Sequence, residues 1–347
     1  MTTASAPAAA PRQLAMVLDL NKCLGCQTCT IACKKLWNRD AGTGYAYWNN
    51  VETQPGQGYP RRWEHTGGRT ATGEVKRGEV PSLDQDYGRA WKFNHQQVRD
   101  GMGGGADKPW LRPDKPPEWG PNWDEDHGAG EHPATNHYFY LPRLCNHCTH
   151  PACMDACPRA AISKRAEDGI VLVDQDRCHG YRFCVEACPY KKVFFDPERS
   201  VATKCIFCLP RIEEGVAPAC ARQCPGRLRF VGYLDDPEGP IWKLVEKWKV
   251  ALPLHPEFGL GPNVFYVPPV GPIAFGDDGR LAEDTPRIPD ELLTGLFGPR
   301  VLDALRIVKE ERARKRRGEA SELMDLLIAY DWNDNFRLPA GTREVIA

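Results

Sequence analysis

The chain has no long apolar run. Nowhere in its 347 residues do the ~20 consecutive apolar side chains of a membrane helix occur, so no direct membrane span is expected. An excess of charge of one sign is missing too. With 45 Lys and Arg against 46 Asp and Glu, the formal net charge is −1, which gives no overall case for binding nucleic acid or an anionic membrane surface. The basic run Arg312-Ala313-Arg314-Lys315-Arg316-Arg317 reads as a solvated helix face. The first residues, MTTASAPAAAPRQ, lack the charged segment and apolar core of a secretory signal and contain no twin-arginine pair. They read as an Ala/Pro-rich tail. The chain is therefore expected either to stay in the cytoplasm or to cross a membrane already folded, beside a partner that carries the signal. Also missing are a dinucleotide fingerprint, a flavin motif and any set of residues suited to substrate chemistry. With 41% hydrophobic residues, the chain is polar but long enough to bury a core in two or three modest domains.

What the chain does have is fifteen cysteines, all in four tight groups. The first is Cys23, Cys26, Cys29 and Cys33, spaced C-x2-C-x2-C-x3-C. The second is Cys145, Cys148, Cys153 and Cys157, followed by Pro158. The third holds three, Cys178, Cys184 and Cys188, followed by Pro189. The fourth is Cys205, Cys208, Cys220 and Cys224, followed by Pro225. The first group reproduces the bacterial ferredoxin run, and all four end in C-x3-C. An odd count in a long chain argues against a disulfide framework. Zinc at Cys205, Cys208, Cys220 and Cys224 is the other alternative, but zinc motifs rarely add a third cysteine or a C-x3-C-P ending. Iron–sulfur ligation is the reading that accounts for all four groups.

Three cysteines on a short loop can present thiolates to three irons of one cluster. A fourth, four residues after the third, shares a helix face with it one turn away and can reach a neighbouring cluster, as in two-cluster ferredoxins. Motifs therefore pair by exchanging fourth ligands. Between the second and third groups, Asp168-Gly169 signals a turn and Ile170 to Val173 a short strand, so these two groups are expected to form one unit. The first and fourth groups then form the other, nested around it, with flanking strands at Leu14–Leu20 and Leu228–Leu234. The expected fold class is α+β: an outer ferredoxin-like unit of residues 12–33 plus 200–235, and an inner one of 141–199. A tail (1–11), an irregular insertion (34–140) and a partly helical C-terminal extension (236–347) complete the chain. Exchange assigns Cys23, Cys26, Cys29 and Cys224 to one 4Fe-4S cluster. Cys33, Cys205, Cys208 and Cys220 take the second, and Cys145, Cys148, Cys153 and Cys188 the third.

Four complete groups would need one more cysteine. In CHGYRFCVEACPYKK, Tyr181 stands where a ferredoxin places its second cysteine. Its ring is expected to occupy the position of the fourth iron, leaving a 3Fe-4S cluster on Cys157, Cys178 and Cys184. A four-iron cluster with water or hydroxide on one iron is the alternative. His147 and His150 fall inside the second group, but its cysteines already account for the cluster, so both are expected near it or at the surface rather than on iron.

The segments RQLAMVLDLNKCLGCQTCTIACK, YWNNVETQPGQGYPR, LPRLCNHCTHPACMDACPRAAI, CHGYRFCVEACPYKK and CIFCLPRIEEGVAPACARQCPGRLRFVGYL span residues 12–235. As a set they resemble the iron–sulfur β subunits of molybdenum enzymes of the DMSO-reductase family. The likeness is to the branch with ethylbenzene dehydrogenase, dimethylsulfide dehydrogenase, selenate reductase and chlorate reductase, with respiratory nitrate reductase further out. In the nitrate reductase subunit the odd position is tryptophan, so Tyr181 fits the former branch better. The resemblance implies a non-catalytic electron-transfer subunit between a molybdopterin-containing catalytic α subunit and a haem b γ subunit. It also implies a periplasmic location, reached folded beside the signal-bearing partner. A free-standing polyferredoxin is the second reading, although a diffusible carrier needs neither the insertion nor the C-terminal extension.

The insertion is rich in Gly, Pro and Trp, including Trp48, Trp63, Trp91, Trp110, Trp119 and Trp123. Its aromatics suit either core packing or an arm that binds a partner, and Gly103-Gly104-Gly105 reads as a loop. Residues 240–347 read as a proline-broken segment followed by helix, with Leu302, Leu305, Ile307, Val308, Leu323, Leu326 and Leu327 at helical spacing for packing.

Overall fold

The computed structural model describes residues 12–65, 67–88, 128–131, 135–276 and 278–338. Trp91, Trp110, Trp119, Trp123 and the three glycines 103–105 lie outside these residues. Helices and several small sheets mix along the chain, in an α+β arrangement. Among the described residues no helix is long and apolar enough to cross a membrane.

The largest sheet is built on the apolar run LAMVLD, strand β1 (Leu14–Asp19), of which all six residues are buried. A strand buried on both faces reads as a near-continuous apolar run, and burying each Leu, Met or Val contributes roughly 1.5–3 kcal/mol. On one side β1 pairs antiparallel with β8 (Arg229–Tyr233), Met16 facing Val231. On the other it pairs parallel with β10 (Val264–Val267), Met16 facing Val264. Strand β9 (Leu252–Pro253) closes the order β8-β1-β10-β9. The segments flanking the first and fourth cysteine groups thus meet as expected. The C-terminal segment does more than expected, because it supplies β9 and β10 to this sheet as well as helices.

The remaining strands pair two by two. Strand β2 (Asn50–Gln54) lies antiparallel to β3 (Phe139–Arg143), Glu52 facing Leu141, so the two ends of the insertion are tied together just before the second cysteine group. Strand β4 (Ile162–Lys164) and β5 (Val171–Val173) form the hairpin around Asp168-Gly169. Gly169 has a φ of 69°, and Asp168 Oδ1 accepts from the Ile170 N–H at 2.9 Å. A second hairpin, β6 (Val193–Asp196) with β7 (Val201–Lys204), leads from the third group to the fourth.

Trp48 and Trp63 are core residues. In helix Val301–Arg316 the buried face is Val301, Ala304, Leu305 and Val308, spaced three and four apart. Leu302 falls off that face and is 46% exposed, so it does not pack as expected. Leu305, Val308, Leu323 and Leu327 are buried, and Ile307 and Leu326 lie against the core. The basic run ends this helix: Arg314 reaches Glu311 and Glu319, Lys315 pairs with Asp325 and Arg317 with Glu319. Its last turn also complements the helix dipole.

Candidate iron–sulfur sites

Each cysteine group is a loop that bends through left-handed residues and then enters a short helix. In the first, Gly25 (φ 65°) and Gln27 (φ 56°) turn the chain into helix Thr28–Trp37, which carries Cys29 and Cys33 one turn apart. A side chain at position 25 has no room, since a Cβ there would sit 2.6 Å from the Tyr140 ring. The third group repeats the device with Gly180 and Arg182 before helix Phe183–Ala187, which carries Cys184. In the fourth, Phe207 and Cys208 take the left-handed conformation, and Cys220 sits on helix Ala219–Arg222. In the second, His147 does so ahead of helix Ala152–Asp155, which bears Cys153.

These bends leave three cavities, each lined by four cysteines from two groups. Cys23, Cys26, Cys29 and Cys224 line one. Cys33, Cys205, Cys208 and Cys220 line another. Cys145, Cys148, Cys153 and Cys188 line a third. The possible zinc quartet is therefore split, because Cys224 lines a different cavity from Cys205, Cys208 and Cys220. The remaining trio also converges: Cys178 and Cys157 are the charged neighbours that most affect Cys184, and the three share a small cluster with Cys153 and Cys188.

All fifteen cysteines are free. Among the described residues, no three His, Cys, Asp or Glu side chains close on a point that could hold a single metal ion. The thiols instead surround spaces. Burial pushes the thiols of Cys23, Cys184 and Cys220 up to about 12, and those of Cys33, Cys148, Cys153 and Cys205 well above the ordinary value. A buried thiolate needs a compensating charge, and iron supplies it as it displaces the proton. Donors are already aimed at several sulfurs. The Trp37 indole N–H donates to Cys208 Sγ at 3.0 Å, and the backbone N–H groups of Phe207, Ala219, Ala202 and Ala161 donate to Cys205, Cys208, Cys178 and Cys157. Buried sulfurs, a space shared by each set and donors suited to anionic sulfur fit iron–sulfur clusters.

Tyr181 is 54% exposed, with its ring beside His179 and Phe183. His147 is fully buried and neutral by preference: burial, then Lys204 and Lys164, push its pKa well below the ordinary value, and its Nδ1 accepts from the Val171 N–H at 3.0 Å. His150 is exposed.

Sequence reasoning missed the buried cations around the cavities. Lys192 lines the third cavity and donates to Asn50. Lys204 donates to the carbonyls of Val171 and Cys205. Arg229 lines the first cavity. The signal was adjacency, since Lys204 directly precedes Cys205 and Lys192 follows Cys188 by four residues.

Residues 136–234 match the 4Fe-4S dicluster domain family. Over 328 residues, 94% of this chain and 99% of the relative, the chain is 57% identical to the dimethylsulfide dehydrogenase subunit beta of Rhodovulum sulfidophilum. The chain belongs to the family of iron–sulfur β subunits. The selenate reductase subunit beta of Thauera selenatis is 55% identical over 94% of this chain and 98% of its own length. The respiratory nitrate reductase subunit beta of Haloferax mediterranei is 57% identical over 94% and 93%. A nitrate reductase subunit thus stands as near as the dimethylsulfide enzyme's, so the substrate of the complex does not follow from identity of the β subunit. As a β subunit of an oxidoreductase, this chain transfers electrons through iron–sulfur clusters and is not the catalytic subunit.

Proposed function

We propose that the chain is a four-cluster relay with a port at each end. The observation that carries this is how burial is distributed. Cys26, in the first set, is exposed, whereas Cys33, Cys205, Cys208 and Cys220 are all buried. Cys157 and Cys178, in the trio, are half-buried beside the exposed Tyr181. Proximity between sets supports the order: Cys29 is among the charges that act on Cys220, Cys145 among those that act on Cys205, and Cys153 and Cys184 belong to one packed cluster. Two nested ferredoxin-like units, pairing the first group with the fourth and the second with the third, account for this chain of neighbours.

The first three sets hold 4Fe-4S clusters, and Cys157, Cys178 and Cys184 hold a 3Fe-4S cluster. The cluster chemistry is one-electron exchange. The protein positions the sulfurs, buries all four of Cys33, Cys205, Cys208 and Cys220, and directs N–H groups at the thiolates. The port at Cys23, Cys26, Cys29 and Cys224 faces a molybdopterin-containing catalytic subunit, and the port at the trio faces an acceptor such as a haem b subunit. The subunit works in the periplasm, beside its catalytic partner.

The test is a freeze-quench titration of the purified Cys184→Ala complex, following each cluster by paramagnetic resonance. Exchange with the haem should stop while substrate still reduces or oxidises the outer clusters. If substrate loses contact with those clusters while the haem keeps contact with the inner ones, the ports are reversed and the proposal fails.

A further inference from the structure

We propose that Arg229 sets the potentials of two neighbouring clusters at once, because its guanidinium stands between their cavities and stabilises an added electron on either side. This rests on the cluster assignment above. Arg229 opens strand β8 and is 1% exposed. It lines the cavity of Cys23, Cys26, Cys29 and Cys224 directly. Its Nη2 donates to Asn49 Oδ1 at 2.8 Å and its Nη1 to Met16 Sδ at 3.6 Å. Asn49 and Met16 both line the other cavity, that of Cys33, Cys205, Cys208 and Cys220. The residue therefore spans the wall between them.

Among the described residues Arg229 makes no carboxylate pair, and its buried Nε has no hydrogen-bond partner. Arg143, equally buried, has Glu52, and Lys204 has two carbonyls. Burial alone would lower the pKa of Arg229, yet Cys29, Cys220, Cys224 and Cys23 together raise it above the ordinary value, and Arg229 in turn favours the thiolate of Cys33. A guanidinium does not deprotonate in proteins, and one buried without a partner is costly. Anionic clusters on both sides supply the missing partner.

The consequence is electronic. A thiolate-ligated cluster becomes more negative when it takes an electron from the adjoining redox partner. A fixed positive charge nearby favours that reduced form. Placed between two clusters, it also offsets the repulsion between electrons held on both. The first pair in the relay is thereby able to fill together, so a reduced first cluster does not block the second.

The experiment is a potentiometric titration of the complex, each cluster followed by paramagnetic resonance, in the unmodified protein and in Arg229→Gln, Arg229→Lys and Asn49→Asp. Arg229→Gln should lower the reduction equilibrium of the first two clusters at least tenfold each, about 59 mV for a one-electron couple. The other two clusters should hold their potentials, and Arg229→Lys should restore most of the loss. Asn49→Asp keeps the guanidinium but gives it a carboxylate, so it should shift the same two clusters downward. It decides the matter if Arg229→Gln does not retain its clusters. Unshifted potentials in a variant with four intact clusters, or a shift spread evenly over all four, would overturn the role of Arg229. Fewer than four clusters in the unmodified protein would instead overturn the assignment on which the proposal rests.

Discussion

Replacing Glu52 with Ala should cost the fold ~3–5 kcal/mol, because it strands a buried guanidinium. Glu52 on β2 and Arg143 on β3 form an ion pair with side chains 1% exposed. Glu52 Oε1 accepts from Arg143 Nε at 2.8 Å, from Asn50 Nδ2 at 2.9 Å and from the Tyr59 N–H at 2.9 Å, and Oε2 accepts from the Trp63 indole at 3.2 Å. Arg143 also donates to the carbonyls of Tyr190 and Tyr59 and lies 3.7 Å over the Trp63 ring. Tyr190 lines the cavity of Cys145, Cys148, Cys153 and Cys188, so this network links the insertion to a cluster wall. The energy corresponds to about two to four decades in an opening equilibrium. The assay is bleaching of the visible iron–sulfur absorbance with an iron chelator at fixed temperature, in conditions where opening precedes loss. Glu52→Ala should bleach faster by decades, and the double variant Glu52→Leu, Arg143→Met should regain most of the loss, since apolar replacement of both partners is often near neutral. A rate close to that of the unmodified protein for Glu52→Ala, or a double variant as fast as the two single effects combined, would refute the reasoning.

Burial alone would raise the Glu52 carboxyl, but Arg143, then Lys192 and Asn50, hold it below the ordinary value. A carboxyl depressed on folding contributes stability above its unfolded value of about 4.3 and loses it as pH falls through the lower folded value. The stability gap between the unmodified protein and Glu52→Gln, measured by the same bleaching, should therefore hold from pH 7 to about pH 5 and narrow as pH falls below the unfolded carboxyl value of about 4.3. On the proposed assignment, Tyr181→Cys should convert a three-iron centre at Cys157, Cys178 and Cys184 to a four-iron one, since position 181 is exposed and the new thiol adds a fourth ligand. Persistence of the oxidised three-iron signal in that variant would count against the assignment. Gly25→Ala forces a Cβ onto the Tyr140 ring at a positive φ, so it should lose the cluster of Cys23, Cys26, Cys29 and Cys224 before the others, as read by its paramagnetic signal. A normal complement would show that the loop has slack.

The cysteine framework was legible because each motif is local: the bends, the helix turn and the last cysteine of each group lie within twenty residues. Strand β1 was legible for a related reason, since LAMVLD can only be deeply buried. Its partner β10 was not, because VFYV lies some 250 residues later among prolines, and pairing at that separation leaves no local trace. Strand β2 was hidden by polar residues: Asn50, Glu52, Thr53 and Gln54 fell within the stretch read as an irregular insertion, and the Arg143 partner that allows Glu52 to be buried lies 91 residues on. Arg229 was missed in the same way. An arginine in a strand ordinarily faces water, and only the pairing of β1 with β8 places it between two cavities. Leu302 was misjudged because its neighbours set the helical face, and a leucine one residue after Val301 falls off it. The exposure of Tyr181 was not legible either, since spacing fixes position along the loop but not the direction of a ring.

The most direct test of the central claim is metal analysis of the chain purified without oxygen, combined with paramagnetic resonance of the oxidised and reduced protein. A relay of three 4Fe-4S clusters and one 3Fe-4S cluster gives about 15 irons per chain, a three-iron signal on oxidation and signals from the remaining clusters on reduction. Stoichiometric zinc in a colourless protein, or an oxidised sample with no three-iron signal and a smaller iron count, would contradict it.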